Sequence, residues 1–341
     1  MKVLAPIREF DELEMLAAAG AEELYCGIVP QEWLDRYQGA VWLNRRSPKG
    51  ANLTSLEEMK RLSQAAHDKS IPLFVALNAP SYSEQQIPLV LDLCDRLSEE
   101  CGVDAIIVSD LNLMLQWSER KRHARLHVSS IATTLNTEAI RFLLNFNPER
   151  IILPRSLTLD HIRRIAEAVK DEVEIEVFVL NDGCVFEEGF CSTTHHHSVG
   201  AFCTDLSNMQ YDFEWNGRHF SKRRRAWLSQ NLTDFREFVW YLNGNGCSVT
   251  PKGLPYGPCG LCALHDLARI GVHSLKIVGR ESAAFKKMAS VRMVRAIVDQ
   301  VRAGATREAV IDRSVRMRET PEHCRSGYMC YYKVEGAPGD R

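Results

Sequence analysis

The sequence predicts an α/β fold, a (β/α)8 TIM-like barrel with an inserted segment between strands seven and eight and a short C-terminal extension. Three observations carry that reading. Eight short apolar runs rich in Val, Ile and Leu recur along the chain. Segments with helical apolar spacing lie between them, several opening on Ser, Asp or Asn caps. No Gly-x-Gly-x-x-Gly follows any of the runs, so a doubly wound open sheet is the weaker fit.

Val3-Leu-Ala-Pro6 opens strand one, and Asp11-x-x-Glu14 starts an amphipathic helix that Gly20 ends. Strand two is Glu23–Ile28. A long loop, 29–54, carries Trp33, Trp42, Asn44, Arg45, Arg46 and Asn52; loops of that length inside a compact domain usually serve function. Ser55-x-x-Glu58 is a capping box for a helix to about Lys69, and Pro72–Asn78 is strand three. Ser83-x-x-Gln86 begins a helix that Pro88 interrupts at its first turn and that ends near Gly102. Strand four, Ala105–Asp110, leads into a helix over 111–121. Strand five is Arg125–Ser129, and Asn136 caps a helix to Asn145. Strand six is Arg150–Pro154, with its helix from Leu159 to Lys170. Strand seven is Glu174–Leu180; strand eight, Ser274–Gly279, precedes a strong helix from Ala283 to Arg302.

Residues 204–246 break the alternation. They are aromatic and basic, with Tyr211, Trp215, Lys222-Arg-Arg-Arg225 and Trp227, and read as an insertion packed over the open face. The barrel domain is then 1–303, and the extension 304–341 holds a short helix and ends in a Gly-Ala-Pro-Gly stretch that predicts fraying.

The 341 residues are 45% hydrophobic and 25% charged with net charge −2, which suits a globular protein and gives no global basic field for nucleic acid. No apolar run approaches the ~18–20 residues of a membrane span, and Met1 leads into no signal-peptide core. The expectation is a cytoplasmic protein with no membrane partner. Eleven cysteines in such a chain are buried, catalytic or metal-bound rather than disulfide-bonded.

Six of the eleven, Cys184, Cys191, Cys203, Cys247, Cys259 and Cys262, fall within one third of the chain, which points to a metal or cluster site. Cys184 and Cys191 follow strand seven, where an α/β protein places its chemistry. Four thiolates close a tetrahedral zinc site or hold an iron–sulfur cluster. Cys259-x-x-Cys262 alone fits zinc, a cluster or a redox pair. Cys26, Cys94 and Cys101 read as core, and Cys324 and Cys330 as packing against the barrel. His195-His-His197 reads as an exposed loop, since three adjacent histidines cannot all face one metal.

The run Glu176 to Cys191 resembles the signature of the peptidase U32 family, the collagenase-like proteases. Glu176, Phe178, Cys184, Gly189 and Cys191 match it in spacing, whereas Leu180-Asn181 stands where the family usually shows His-Gly. A second matching block is Gly260-Leu-Cys262-Ala-Leu, continuing to Gly271 and through Lys276-Ile-Val-Gly279-Arg280. A third runs from Val3-Leu-Ala-Pro6 through Leu153-Pro-Arg155. The resemblance implies a barrel-like fold. It also implies a 4Fe–4S cluster on Cys184, Cys191, Cys203 and Cys262, with Cys259 able to replace Cys262 and zinc as the alternative cofactor.

Iron–sulfur members of that family act in hydroxylation that does not use dioxygen. The resemblance therefore implies redox modification of an RNA base or a small aromatic substrate. The partners implied are RNA or a small molecule, an electron-donor protein, and a related subunit in a hetero- or homodimer. A U32-type peptidase and a non-catalytic cluster-binding partner subunit are the competing readings. The chain has no Gly-x-Ser-x-Gly and no His-Glu-x-x-His, and thiolates that hold a cluster are not available as nucleophiles. Barrel strand ends converge on one pocket, so Arg45, His127, Arg155 and Arg280 are expected to line it, the arginines clamping a carboxylate or phosphate. The run Lys222 to Trp227 is more often a solvated helix face than a track for nucleic acid.

Overall fold

In the computed structural model, eight parallel strands close into a barrel in sequence order. They are β1 (Lys2–Pro6), β2 (Glu23–Gly27), β3 (Leu73–Leu77), β4 (Ala105–Val108), β5 (Arg125–Val128), β6 (Arg150–Ile152), β7 (Glu174–Leu180) and β8 (Ser274–Ile277). Closure comes from β8 pairing back onto β1, Lys2 opposite Ser274 and Leu4 opposite Lys276. The structure describes residues 1–38, 41–46, 50–120, 122–181, 183–184, 188–189, 195–196, 200–201 and 214–340; for 195–196, 200–201, 215, 240 and 242–247 it describes the backbone alone.

The helices are α1 (Leu13–Ala19), α2 (Gln31–Tyr37), α3 (Leu56–His67), α4 (Ile87–Glu99), α5 (Leu111–Ser118), α6 (Thr137–Leu144), α7 (Leu159–Ala168), α8 (Lys222–Cys247), α9 (Leu264–Ile270), α10 (Ala284–Arg302), α11 (Arg307–Arg318) and α12 (Pro321–Ser326). Their starts follow the expected caps. Ser55 accepts from the Glu58 amide at 3.1 Å and Asn136 from Ala139 at 2.9 Å. Asp110, at the end of strand four, uses one oxygen on the Leu113 amide and the other on the Tyr82 amide. It is therefore a capping residue.

The strands are buried on both faces, as parallel strands under helices must be. Side chains such as Val75, Ile106 and Val177 face the helices in the main core. The alternate set, including Leu4, Tyr25, Phe74, Ile107, Ile152 and Phe178, fills the barrel.

Three boundaries differ from the sequence reading. The loop 29–54 contains α2, which starts after Pro30 and buries Trp33, whose indole donates to the Val41 carbonyl at 2.9 Å. Helix α4 begins at Ile87, a turn later than expected. Pro88 is tolerated there because a first-turn N–H has no helical partner to lose. The stretch after α12 is not frayed: Val334 is buried and Lys333 Nζ donates to the Gly339 carbonyl at 2.7 Å. Helix α8 exposes Lys222 to Trp227, the solvated face expected of them, and further along Tyr241 packs edge-on against His323 of α12 at 5.7 Å.

The barrel floor is ionic. Arg150, first residue of β6, donates to both oxygens of Glu23 at 2.8 and 2.9 Å, to Glu176 at 3.1 Å and to Glu174 at 2.6 Å. Lys276 reaches Glu176 at 2.7 Å, and Ser274 donates to Glu23 at 2.7 Å. Burial alone would raise the Glu23 and Glu176 carboxyls. The Arg150 bonds to Glu23, and the Lys276 and Arg150 charges at Glu176, instead hold both below the ordinary range. His127 belongs to this floor. Its ring sits edge-on to Phe74 and bonds Glu149, just before β6, at 3.0 Å. The expectation that His127 lines the mouth is thereby corrected: the β5–β6 register sets it opposite Arg150, at the start of the neighbouring strand. Burial, opposed by Glu149, lowers its pKa.

Stability is therefore expected to fall in two stages as pH drops. His127 takes up a proton on unfolding, so its contribution is present above about pH 6.5 and declines below it. Glu23 and Glu176 contribute above about pH 4.5 and lose that contribution as pH falls through their lowered folded values. Urea midpoints between about pH 8 and 3 check this, and His127→Phe should remove the upper stage and leave the lower one.

Candidate functional site at the mouth of the barrel

At the opposite end, the carboxyl ends of the strands form the mouth. Arg280 follows β8 and is only 4% exposed. Its guanidinium donates to Asn44 Oδ1 at 2.9 Å and to Asn52 Oδ1 at 3.3 Å, and Asn44 Nδ2 donates to Asn52 at 2.8 Å. Both asparagines come from the long loop after β2, so that loop is built onto the mouth. The guanidinium passes over Gly27, where a Cβ would lie 1.7 Å from Arg280 Nη1 and 2.2 Å from Asn52 Oδ1. Glycine is required here for close approach. Burial lowers the Arg280 pKa to about 10, and among the described residues no carboxylate pairs with it.

Two strands further round the rim Arg155, after β6, lies 3.7 Å from the centre of the Phe178 ring and pairs with Glu188. Glu188 is buried and also accepts from the Ser130 hydroxyl. The next residue, Gly189, lets this loop seat on 130–133, because a Cβ there would meet Thr133 Oγ1 at 2.5 Å. Asn78 at the end of β3 donates to Ser129 Oγ at 3.0 Å, and its Oδ1 is buried with no hydrogen-bond partner among the described residues. Arg45 is half-buried beside Asn44. The structure thus brings Arg280 and Arg155 to the rim with polar partners, and leaves His127 below.

The exit of β7 is tied from outside the barrel. Asn181 has φ +64°, a left-handed conformation that asparagine adopts more readily than most residues and glycine more readily still. Its amide donates to the Pro258 carbonyl at 2.8 Å and its carbonyl accepts the Tyr331 hydroxyl. Tyr332 donates to the Phe178 carbonyl at 2.8 Å.

The expected cluster ligands fall in different places. Cys184 is exposed just past that exit. Cys191 and Cys203 lie outside the described residues. Cys262 lines a small cavity of ≈ 30 Å³ together with Cys259, Cys324 and Cys330, and Cys184 is not among the residues lining it. Burial and then the neighbouring thiols Cys259, Cys330 and Cys324 push the Cys262 thiol up. Among the described residues no three His, Cys, Asp or Glu side chains stand ready to hold a metal ion as placed.

Sequence reasoning missed Glu188, Gly27, the Arg280 partners Asn44 and Asn52 as a pair, and the grouping of Cys324 and Cys330 with the Cys-x-x-Cys motif. The only available signals were the adjacency of Glu188 to Gly189 and the presence of two asparagines in one long loop.

The model for peptidase family U32 matches residues 8–337. The chain is 28% identical over 210 residues to a collagenase of Porphyromonas gingivalis, covering 59% of this chain and 46% of that protein. It is 27% identical over 309 residues to an uncharacterised protease of Methanocaldococcus jannaschii, covering 89% and 67%. To the tRNA hydroxylation protein P of Escherichia coli it is 23% identical over 328 residues, covering 89% and 69%. It spans less than half the length of the collagenase and about two thirds of the other two. No described helix is long and apolar enough to cross a membrane. With nearly its whole length matched, this chain belongs to peptidase family U32.

Proposed function

We propose that the chain is an iron–sulfur U32 enzyme that hydroxylates or otherwise oxidises an RNA base, or a small aromatic substrate, without dioxygen at the mouth of the barrel. The observation that supports this most is Arg280. A buried guanidinium that, among the described residues, is held by amide oxygens and by no carboxylate favours an incoming anion, and its planar fork suits a phosphate or carboxylate. Arg155, over the Phe178 ring and paired with Glu188, brings a second guanidinium to the rim. The likeness to a tRNA hydroxylation protein favours RNA over a free aromatic.

Cys184, Cys191 and Cys203 are the proposed ligands of a 4Fe–4S cluster, zinc being the alternative. Cys262 is the fourth residue of that set, and in the structure it shares a cavity with Cys259, Cys324 and Cys330. Converting C–H to C–OH with water as oxygen source releases two protons and two electrons, so a redox partner protein belongs to the same reading. With that oxygen source the partner accepts electrons.

Two measurements test the proposal. In cells lacking the gene, RNA should lose a nucleoside one oxygen heavier than its parent, restored by the wild type and not by Arg280→Ala. Protein purified without oxygen should contain iron and sulfide, reduced in Cys184→Ala. An unchanged nucleoside profile, with iron-free protein that cleaves gelatin, would instead establish the peptidase reading.

A further inference from the structure

Four thiols from two distant parts of the chain meet beside the exit of β7. Cys259 lies in the crossing segment before α9, between Leu180 of β7 on one side and Cys330 on the other, bridged to both. Its amide donates to the Met329 carbonyl at 2.7 Å, and its carbonyl accepts from the Tyr331 amide at 2.9 Å. Cys262 follows in the 3-10 turn Leu261–Ala263, and Cys324 comes from α12. All four line the ≈ 30 Å³ cavity. None is in a disulfide.

The Leu261 amide points at Cys259 Sγ at 3.5 Å. The first sulfur of Cys-x-x-Cys thus accepts a main-chain hydrogen bond from two residues on. The remaining wall is mostly apolar, including Val315, Met329 and Val334. A single buried cysteine is a small hydrophobe and needs no other explanation. Four sharing one cavity, with a sulfur-directed amide, supply the donor set of a tetrathiolate site, which the side chains as placed do not yet close.

We propose that Cys259, Cys262, Cys324 and Cys330 bind one structural zinc ion. The cavity of ≈ 30 Å³ has room for about two waters, and so for one ion. The ion would staple the segment after α12 onto the exit of β7, beside the Tyr331 and Tyr332 bonds. The proposal does not depend on the substrate or reaction proposed for the mouth.

The test uses the full chain, purified without chelator under reducing, oxygen-free conditions. Zinc should be present at one per chain, lost in Cys324→Ser and Cys330→Ser, and retained in Cys184→Ala and Cys26→Ser. Cobalt in place of zinc should give thiolate charge-transfer and tetrahedral ligand-field bands that the same two serine variants abolish. Should those variants fail to fold, titrating wild-type thiols with a mercurial in the presence of a metal-sensing dye keeps the test open, with zinc released as four thiols react. Wild-type protein without zinc that binds no cobalt would overturn the proposal, as would metal surviving both serine variants, or iron with sulfide as the species they lose. Loss of iron in Cys184→Ala with zinc intact separates this site from the cluster proposed at the mouth.

Discussion

Arg150→Met is expected to lower the unfolding free energy by about 3–5 kcal/mol, as breaking a buried ion pair does. It strips the bidentate partner from Glu23 and one partner from Glu176, two carboxylates that are 0% exposed. Lys276 remains to serve Glu176 alone, and only Ser274 and the half-exposed Lys2 still face Glu23. The pH dependence should change sign as well. Without Arg150, burial raises the Glu23 carboxyl above its unfolded value. That group then stabilises below the unfolded pKa, and the stabilisation disappears as pH rises through the folded one. Urea unfolding followed by circular dichroism at mildly acidic and neutral pH measures both effects. Combining Arg150→Met with Glu23→Gln should recover part of the loss, because the neutral amide no longer needs a counter-ion. A cost under about 1 kcal/mol for Arg150→Met would show that the floor is far wetter than its geometry implies.

Gly27→Ala should have the largest effect on activity. The added methyl would stand 1.7 Å from Arg280 Nη1, so the guanidinium must leave Asn44 and Asn52. Misplacing a positioning group by this much costs about 100-fold in kcat/KM, while the strain should cost only about 1–3 kcal/mol of stability. The two readouts therefore separate. Gly27→Ala combined with Arg280→Ala should be no less active than Arg280→Ala alone, since both remove the same interaction. Full product formation by Gly27→Ala, measured as the modified nucleoside, would remove Arg280 from the site.

The strands were legible because their physics is local. Runs such as Leu73–Leu77 and Ala105–Val108 are buried on both faces and carry the β-branched signal without interruption. Helix α2 was not legible, because seven residues with one buried side chain, Trp33, carry little periodicity. At the mouth, Arg155 and Arg280 could be found from their place just after β6 and β8. His127 could not be placed the same way. In a four-residue strand, being near the end and being in the upper layer are different things, and only the pairing to β6 decides. Cys324 and Cys330 gave no usable signal either. Their meeting with Cys259 depends on a single bridge between segments far apart in sequence, and no period or motif announces it.

The tyrosine bonds to β7 set a clock on biosynthesis. Tyr331 caps the Asn181 carbonyl and Tyr332 the Phe178 carbonyl, across separations of 150 and 154 residues. At about 5–20 residues per second, a ribosome needs about 8–30 s to supply those hydroxyls once β7 has been made. Until then the strand that leads to Cys184 has two main-chain acceptors unsealed and open to water. Cys259 and Cys262 wait in the same way, because the cavity that encloses them is completed only when Cys324, Cys330 and Val334 have been made.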